Sequence, residues 1–379
     1  MKVLLCSYFK YPRGDAGAIR QEKLAIMLRR LRHEVLVVGL GTYTGCQIKT
    51  SNDIDYISLR MNDSRLLGKI KYRLNYWINF KKVIEFYRPD VIIMDDMRPR
   101  VTISIKSYCK RNNIKLVHDS MEWYSHQQFK LGVFSPAFIS KNIVNRFLID
   151  KTFRVIAISR YLTEHYKSKG IYCVNIPIVV SNYDLVDDKE LTDKIHFTYA
   201  GQAGKKDYID IVLSAMALLS EEERQKFQFH IMGCSLEQIK NCGISTQTFN
   251  KVKPILNVWG RVSRETVLNQ LKKTDFTILI RSQNQRYAKA GFPTKAVESL
   301  SHSTPMIANI TSDLGIYLKD GCNAFIVRDC SVEAVVEQLK LAIGTSLSQR
   351  KAMCEEAYFT AKEKLHYEKF LNDFEEILK

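Results

Sequence analysis

Ten consecutive residues, Lys289-Ala290-Gly291-Phe292-Pro293-Thr294-Lys295-Ala296-Val297-Glu298, combine the parts of an anion site with a polar anchor. Pro293 suits a first helical position, where its missing N–H would have no partner anyway, and Gly291 allows backbone to approach a ligand. A helix starting there offers amide N–H groups and the positive end of its dipole to an anion, with Thr294 and Lys295 in its first turn and Phe292 just before it. Glu298 follows about one and a half turns later, placed to reach a hydroxyl attached to that anion. Phosphate and polyol in one site is the chemistry of a nucleotide sugar. The competing reading is an ordinary loop–helix junction with a solvated Glu.

Other residues could share that chemistry. An apolar run at 196–200 ends in Gly201-Gln202-Ala203-Gly204-Lys205-Lys206-Asp207, a glycine-rich loop with two cations suited, as mobile point charges, to phosphate. Gly233 and Gly260 each follow a strand-like run, and Arg281 follows another. Near the start, Pro12-Arg13-Gly14-Asp15-Ala16-Gly17-Ala18-Ile19-Arg20 links a strand to a helix without the G-x-G-x-x-G spacing of dinucleotide binders, and no acid closes the following strand where such enzymes hold a ribose. A dehydrogenase is therefore disfavoured. His118-Asp119 follows the run at 115–117, with Glu122 close behind, so these side chains are expected at a sheet's carboxyl edge. The acidic pairs Asp53/Asp55 and Asp95/Asp96 are too ordinary to argue for a metal-dependent site, and no metal is expected.

Two runs of alternating elements must position these groups. Short β-branched segments at 2–8, 34–40, 91–94, 115–118 and 154–158 alternate with helical stretches, as strands buried on both faces should. The rhythm restarts at 196–200 and continues through 227–232, 255–259, 276–280, 305–308 and 324–327, after a polar linker at 175–195. The expected fold is α/β, two Rossmann-like doubly wound parallel-sheet domains facing a central cleft, at 1–180 and 181–359. A helix at about 360–379 is expected to return to the first domain through Phe370, Phe374 and Ile377.

Charge divides unevenly between these halves. Residues 1–180 hold 31 Lys and Arg against 14 Asp and Glu, while 181–379 hold 26 of each, so the whole net charge of +17 lies in the first half. Such a half suits an anionic surface or polyanionic substrate. Lys69, Lys71, Arg73, Lys81, Lys82 and Arg88 interleave with Tyr72, Leu74, Tyr76, Trp77, Ile78, Phe80 and Phe86, which reads either as a membrane-surface helix or as a packed helix with a basic face. No window approaches 18 uninterrupted apolar residues, and the first apolar run is too short for a signal peptide, so a cytoplasmic protein, peripheral on the inner membrane face, is expected. The nine cysteines lack zinc-ligand spacing and read as reduced thiols.

Taken in order, these motifs resemble the retaining glycosyltransferases of the GT-B fold, family four, over nearly the whole chain. Gly17 and Ala18 stand in that family's glycine-rich first loop, Arg32-His33-Glu34-Val35 matches three of four residues of its Gly-His-Glu-Val run, and residues 155–159 resemble its last N-domain strand. The resemblance makes His118 a contact of the donor sugar, Lys206 with Lys205 the clamp on the donor diphosphate, and Gly233 and Gly260 base-binding loops. It makes Glu298 the ribose anchor and the second acid of an E-x7-E motif whose first position here is Ala290. Gln202 replaces the usual arginine, a charge that Arg281 or Lys295 is placed to supply. Asp119, Glu122 and Arg20 become acceptor-side candidates. The implied activity is transfer of a sugar from a nucleoside diphosphate sugar to a glycan or lipid-linked glycan, with no cofactor and no nucleic-acid partner. A GT-B nucleotide-sugar epimerase and a non-catalytic polyanion-binding protein are the alternatives.

Overall fold

The computed structural model describes residues 1–12, 16–41, 46–60, 66–95, 97–202 and 206–379, with backbone alone at 60 and 66–75. Two compact units divide it, one of Met1–Val179 with Tyr367–Lys379 and the other of Val180–His366.

The first unit is built on an eight-stranded sheet. Its strands are β1 (Lys2–Lys10), β2 (Glu34–Gly41), β3 (Lys49–Ser51), β4 (Ile54–Arg60), β5 (Val91–Met94), β6 (Lys115–Ser120), β7 (Arg154–Ala157) and β8 (Cys173–Asn175), in the order β3-β4-β2-β1-β5-β6-β7-β8. All neighbours are parallel except β3 and β4. Central strands are buried on both faces, which explains runs such as Val91-Ile92-Ile93-Met94 with no polar alternation. One face packs on Leu24, Leu28 and Ala25 of the helix Ala16–Arg30 and on Phe374, Ile377 and Leu378 of the terminal helix Leu371–Leu378. Lys115 Nζ and an Arg154 guanidinium N–H donate to carbonyls at the end of that helix, at 3.2 Å to Leu378 O and 2.9 Å to Glu376 O, an arrangement its dipole favours.

In the β3–β4 hairpin, β3 is polar (Lys49-Thr50-Ser51), while β4 buries Ile54, Ile57 and Leu59. Asn52 and Asp53 form the two-residue turn with φ of 49° and 59°, the conformation that twists correctly into antiparallel strands. The Asp53/Asp55 pair is thereby a turn residue and a strand residue whose carboxylate accepts from Thr50 Oγ1 at 2.8 Å.

The helix Leu66–Tyr87 has its side chains described from Tyr76 onward. Tyr76, Phe80, Val83, Ile84 and Tyr87 recur at helical spacing and are buried, so this face is core, while Ile78 and Phe86 of the same helix are exposed. Lys69, Lys71, Tyr72, Arg73 and Leu74 have side chains outside the described residues.

The second unit has a six-stranded, wholly parallel sheet of β9 (Ile195–Ala200), β10 (Phe227–Met232), β11 (Leu256–Gly260), β12 (Phe276–Leu279), β13 (Met306–Asn309) and β14 (Ala324–Val327), ordered β11-β10-β9-β12-β13-β14. Phe197, Phe229, Phe276, Ile278 and Ile307 form its core with Leu213, Met216, Leu339 and Ala342. The chain leaves β9 in one direction and returns to β12 on its other side, so the carboxyl ends of these two strands flank a crevice where parallel sheets bind ligands.

Candidate active site

Three charged side chains meet at that switch point. The loop after β9 delivers Asp207, the end of β12 leads to Arg281, and the helix Thr294–Ser301 carries Lys295 in its first turn. Arg281 Nε donates to Asp207 Oδ1 at 2.6 Å, Lys295 Nζ donates to Oδ2, and the Tyr199 hydroxyl lies 3.0 Å from the same oxygen. The two cations hold the Asp207 carboxyl well below the usual carboxylate range despite burial, which acts in the opposite direction. Burial pulls Lys295 below its ordinary value, opposed by Asp207.

Glycines make this cluster sterically possible. A Cβ on Gly201 would lie 2.6 Å from Lys295 Cε, and one on Gly233, whose φ is 98°, would lie 2.7 Å from the Gly201 carbonyl oxygen. Hydrogen bonds from Gly201 N to Met232 O at 2.8 Å and from Gly233 N to Gly260 O at 2.6 Å tie the three strand ends into one rim. Gly260 lies on that rim beside open space.

Around the trio, Lys206 Nζ sits 5.8 Å from the centre of the Tyr287 ring, and Lys206 O accepts from the Tyr287 hydroxyl at 2.8 Å. The Gln202 side chain is exposed, and Lys205 lies outside the described residues. Glu298 is partly buried and accepts from Arg264 Nε at 2.9 Å. Asn309 fixes the Arg281 backbone from both sides, accepting from Arg281 N at 2.9 Å and donating to Arg281 O at 2.7 Å. Asp207, Tyr199, Arg264 and Asn309 do not stand out in the sequence, although a single acid beside Lys205 and Lys206 was a visible signal in Asp207.

The segment at 289–298 differs locally from its expected form. Pro293 is the N-cap, with φ −74° and ψ 114°, and Thr294 is the first helical residue. Gly291 is extended, at φ −87° and ψ 152°, a conformation open to any residue. Phe292 turns inward, its ring centre 5.4 Å from that of Tyr317, so its side chain belongs to the core. Ala290 is fully buried at the end of the helix Arg286–Ala290, where a glutamate would place a charge inside the unit.

In the first unit the expected site residues are mostly structural. Strand β6 runs on to Ser120, so His118 and Asp119 lie within it and not beyond it. His118 is fully buried, and desolvation pushes its imidazole down to about 4, leaving it neutral. Asp119 is the buried partner of Arg20, accepting from Nε at 2.8 Å and from a terminal nitrogen at 2.7 Å, while the guanidinium also donates to Pro177 O at 2.9 Å and Ile176 O at 3.1 Å. That buried pair ties β6 to the helix Ala16–Arg30 and to the chain at 176–177. Glu122 is only partly buried and lies beside Tyr124, whose phenol it helps to push up. Gly17 and Ala18 lie inside the helix that begins at Ala16, both buried, and the Phe9 ring occupies the space a Gly17 side chain would need. Among the described residues no cluster of three or more His, Cys, Asp or Glu could hold a metal ion.

Residues 184–359 match the family Glycosyl transferases group 1. No curated protein matches this sequence. Among solved structures, the fold is similar to sucrose-phosphate synthase of Thermosynechococcus elongatus, at 14% identity and a TM-score of 0.78, covering 100% of this chain and 98% of that one. It is also similar to Anabaena HepE in complex with UDP and glucose, at 13% identity and a TM-score of 0.68 over 100% and 99% of the two chains. A lipopolysaccharide outer core galactosyltransferase, WaaB, is similar at 15% identity and a TM-score of 0.66 over 100% and 99%. Both units thus take part in one GT-B fold.

Proposed function

From a chain whose residues 184–359 belong to the glycosyl transferases group 1 family, and which is a glycosyltransferase of the GT-B fold, we propose a retaining enzyme of family four that uses a nucleoside diphosphate sugar. The observation that carries the donor assignment is the meeting of Arg281, Lys295 and the start of the helix Thr294–Ser301 at the switch point of the second unit, with Lys206 on the same loop as Asp207. These groups are placed to stabilise charge that grows on the departing diphosphate. Glu298, on the same helix, takes the ribose hydroxyls, and Arg264 holds its carboxylate at 2.9 Å beforehand. The bond between the anomeric carbon and the phosphate oxygen breaks, and an acceptor hydroxyl bonds that carbon from the same face. Its proton leaves with the diphosphate.

Cationic side chains supply the charge neutralisation here, so transfer is expected to continue in excess EDTA. The acceptor we propose is a lipid-linked glycan of a bacterial surface polysaccharide, met by the basic first unit. The similar structures include one complex with UDP and glucose and one lipopolysaccharide galactosyltransferase, which supports this reading. Thermal-shift measurement across the nucleoside diphosphates tests it, and one base is expected to stabilise the protein strongly. No stabilisation by any of them would remove the donor assignment.

A further inference from the structure

The first unit displays an apolar surface that its own elements leave bare. Six of the eighteen large hydrophobic side chains exposed among the described residues fall within 131–147, namely Leu131, Val133, Phe134, Ile139, Ile143 and Phe147. Phe134 is 79% exposed and Phe147 73%. The stretch folds as a 3-10 turn Gly132–Phe134, a helix Pro136–Ile143 and a π-turn Val144–Leu148.

Apolar side chains of this stretch face water as well as the core, where Val144 is buried. Ile139, Ile143 and Phe147, spaced four apart, share the outer face of the helix, while Lys141 and Asn145 are buried. Asn142 Oδ1 accepts from Trp123 Nε1 at 2.9 Å, which fixes the polar side inward. Burial pushes the Lys141 ammonium down to about 7, opposed by the nearby Asp95 carboxylate. Lys169 Nζ pins the far end, donating to Arg146 O at 3.0 Å and Ile149 O at 2.8 Å. The apolar face is therefore held outward by specific contacts.

Its charge selects the partner. No acidic residue occurs between Glu122 and Asp150, whereas Lys130 and Arg146 are exposed within the stretch. A second copy of the chain would bring like charges together around the apolar face. An anionic lipid surface satisfies both features at once. We propose that residues 131–147 dock the first unit on an anionic bilayer, with Phe134 and Phe147 entering the boundary between headgroups and acyl chains and Lys130 and Arg146 at headgroup level. This docking extends the lipid-linked acceptor reading, and vesicles that contain no acceptor keep the two separately testable.

The test is co-sedimentation of the full chain with acceptor-free vesicles of phosphatidylcholine, with and without phosphatidylglycerol. Binding is expected with phosphatidylglycerol and to be at least about tenfold weaker without it. The double variant Phe134→Ser/Phe147→Ser should weaken binding by about tenfold or more, with unchanged melting temperature and nucleotide-induced shift, because both rings are already in water. Lys130→Glu should weaken it by about fivefold or more. The proposal is overturned if the wild type ignores anionic vesicles, if the double variant binds as well as the wild type, or if size-exclusion shows a dimer that the double variant abolishes. Transfer to a detergent-solubilised acceptor without vesicle binding would defeat docking while leaving the glycosyltransferase reading intact.

Discussion

Asp207→Asn separates two roles that one carboxylate plays in the donor cradle. In the wild type, Asp207 is 6% exposed and neutralises Arg281 and Lys295, whose side chains are 16% and 25% exposed. The amide keeps the shape and removes the charge, leaving two cations facing each other with one weaker acceptor. Removing one partner of a fully buried pair costs about 3–5 kcal/mol. Partial exposure of both cations reduces this to about 2 kcal/mol. For a unit the size of residues 180–366, that corresponds to a melting temperature lower by about 4–8 °C.

The same change makes the cradle one charge more positive. A phosphate oxygen about 6 Å from the carboxylate is repelled by about 3 kcal/mol at an effective dielectric constant of 20. Solvent at the open rim lowers the realised gain, so nucleoside diphosphate affinity should rise by about tenfold, adding about 1.4 kcal/mol of stabilisation at saturating nucleotide. Differential scanning fluorimetry with and without nucleotide, paired with calorimetric titration, reads both effects. The expected pattern is a less stable free variant with a larger nucleotide shift than the wild type. An unchanged free melting temperature would show that the trio is not coupled as described. Weaker nucleotide binding would show that Asp207 serves mainly to aim the cations, which contradicts the charge argument.

Glu298→Gln should lower affinity for a ribonucleoside diphosphate by about tenfold while leaving that for the corresponding 2′,3′-dideoxy compound nearly unchanged, as the loss of one charged hydrogen-bond acceptor predicts; equal losses for both would refute ribose anchoring. Arg20→Met and Asp119→Asn should each destabilise the first unit by about 3–5 kcal/mol in denaturant titration, since each strands a buried charge or donor, while the nucleotide-induced shift stays that of the wild type. Burial holds His118, His230 and His302 down at about 4, so the unfolded chain binds more protons than the folded one between there and about pH 6.5. Stability is therefore full above about pH 6.5 and lost as pH falls toward 4, by up to about 1.4 kcal/mol per histidine per pH unit. Melting temperatures from pH 7.5 to 4.5 should fall accordingly, and His118→Gln should flatten the slope.

The sheets were legible because parallel strands buried on both faces leave nearly continuous apolar runs, such as 91–94 and 227–232. β3, β4 and β8 were not, because they lie at or near the edge of the first sheet and carry polar residues at Lys49, Thr50, Asp55 and Asn175. The proposed donor site shows in the sequence where its motif is local, as in Pro293-Thr294-Lys295 and Glu298. It does not where the partner is distant in sequence. Asp207 meets Lys295 across 88 positions, Arg264 meets Glu298 across 34, and Asn309 meets Arg281 across 28. His118 and Asp119 misled because an expected strand end three residues short of its real one places interior side chains at a ligand edge.

The uneven charge of the sequence has a local counterpart in the site. In the second unit the site's cations are met within it, Arg281 and Lys295 by Asp207 and Arg264 by Glu298. Lys206 is held over the Tyr287 ring. In the proposed donor site, an arriving diphosphate competes with Asp207 for the hydrogen bonds of Arg281 and Lys295, so the carboxylate lowers the net charge that the diphosphate meets. The replacement of the expected arginine by Gln202 fits this balance, because a cradle containing Asp207 draws its positive charge from Arg281 and Lys295 on other strands and helices. Restoring an arginine at 202 should therefore tighten nucleotide binding more in the wild type than in Asp207→Asn, because the two cationic sources share the same phosphate oxygens and the variant cradle is already one charge more positive, and a double-mutant cycle in the calorimeter measures that coupling directly. Strict additivity would place Gln202 and Asp207 at independent sites, and the compensation argued here would fail.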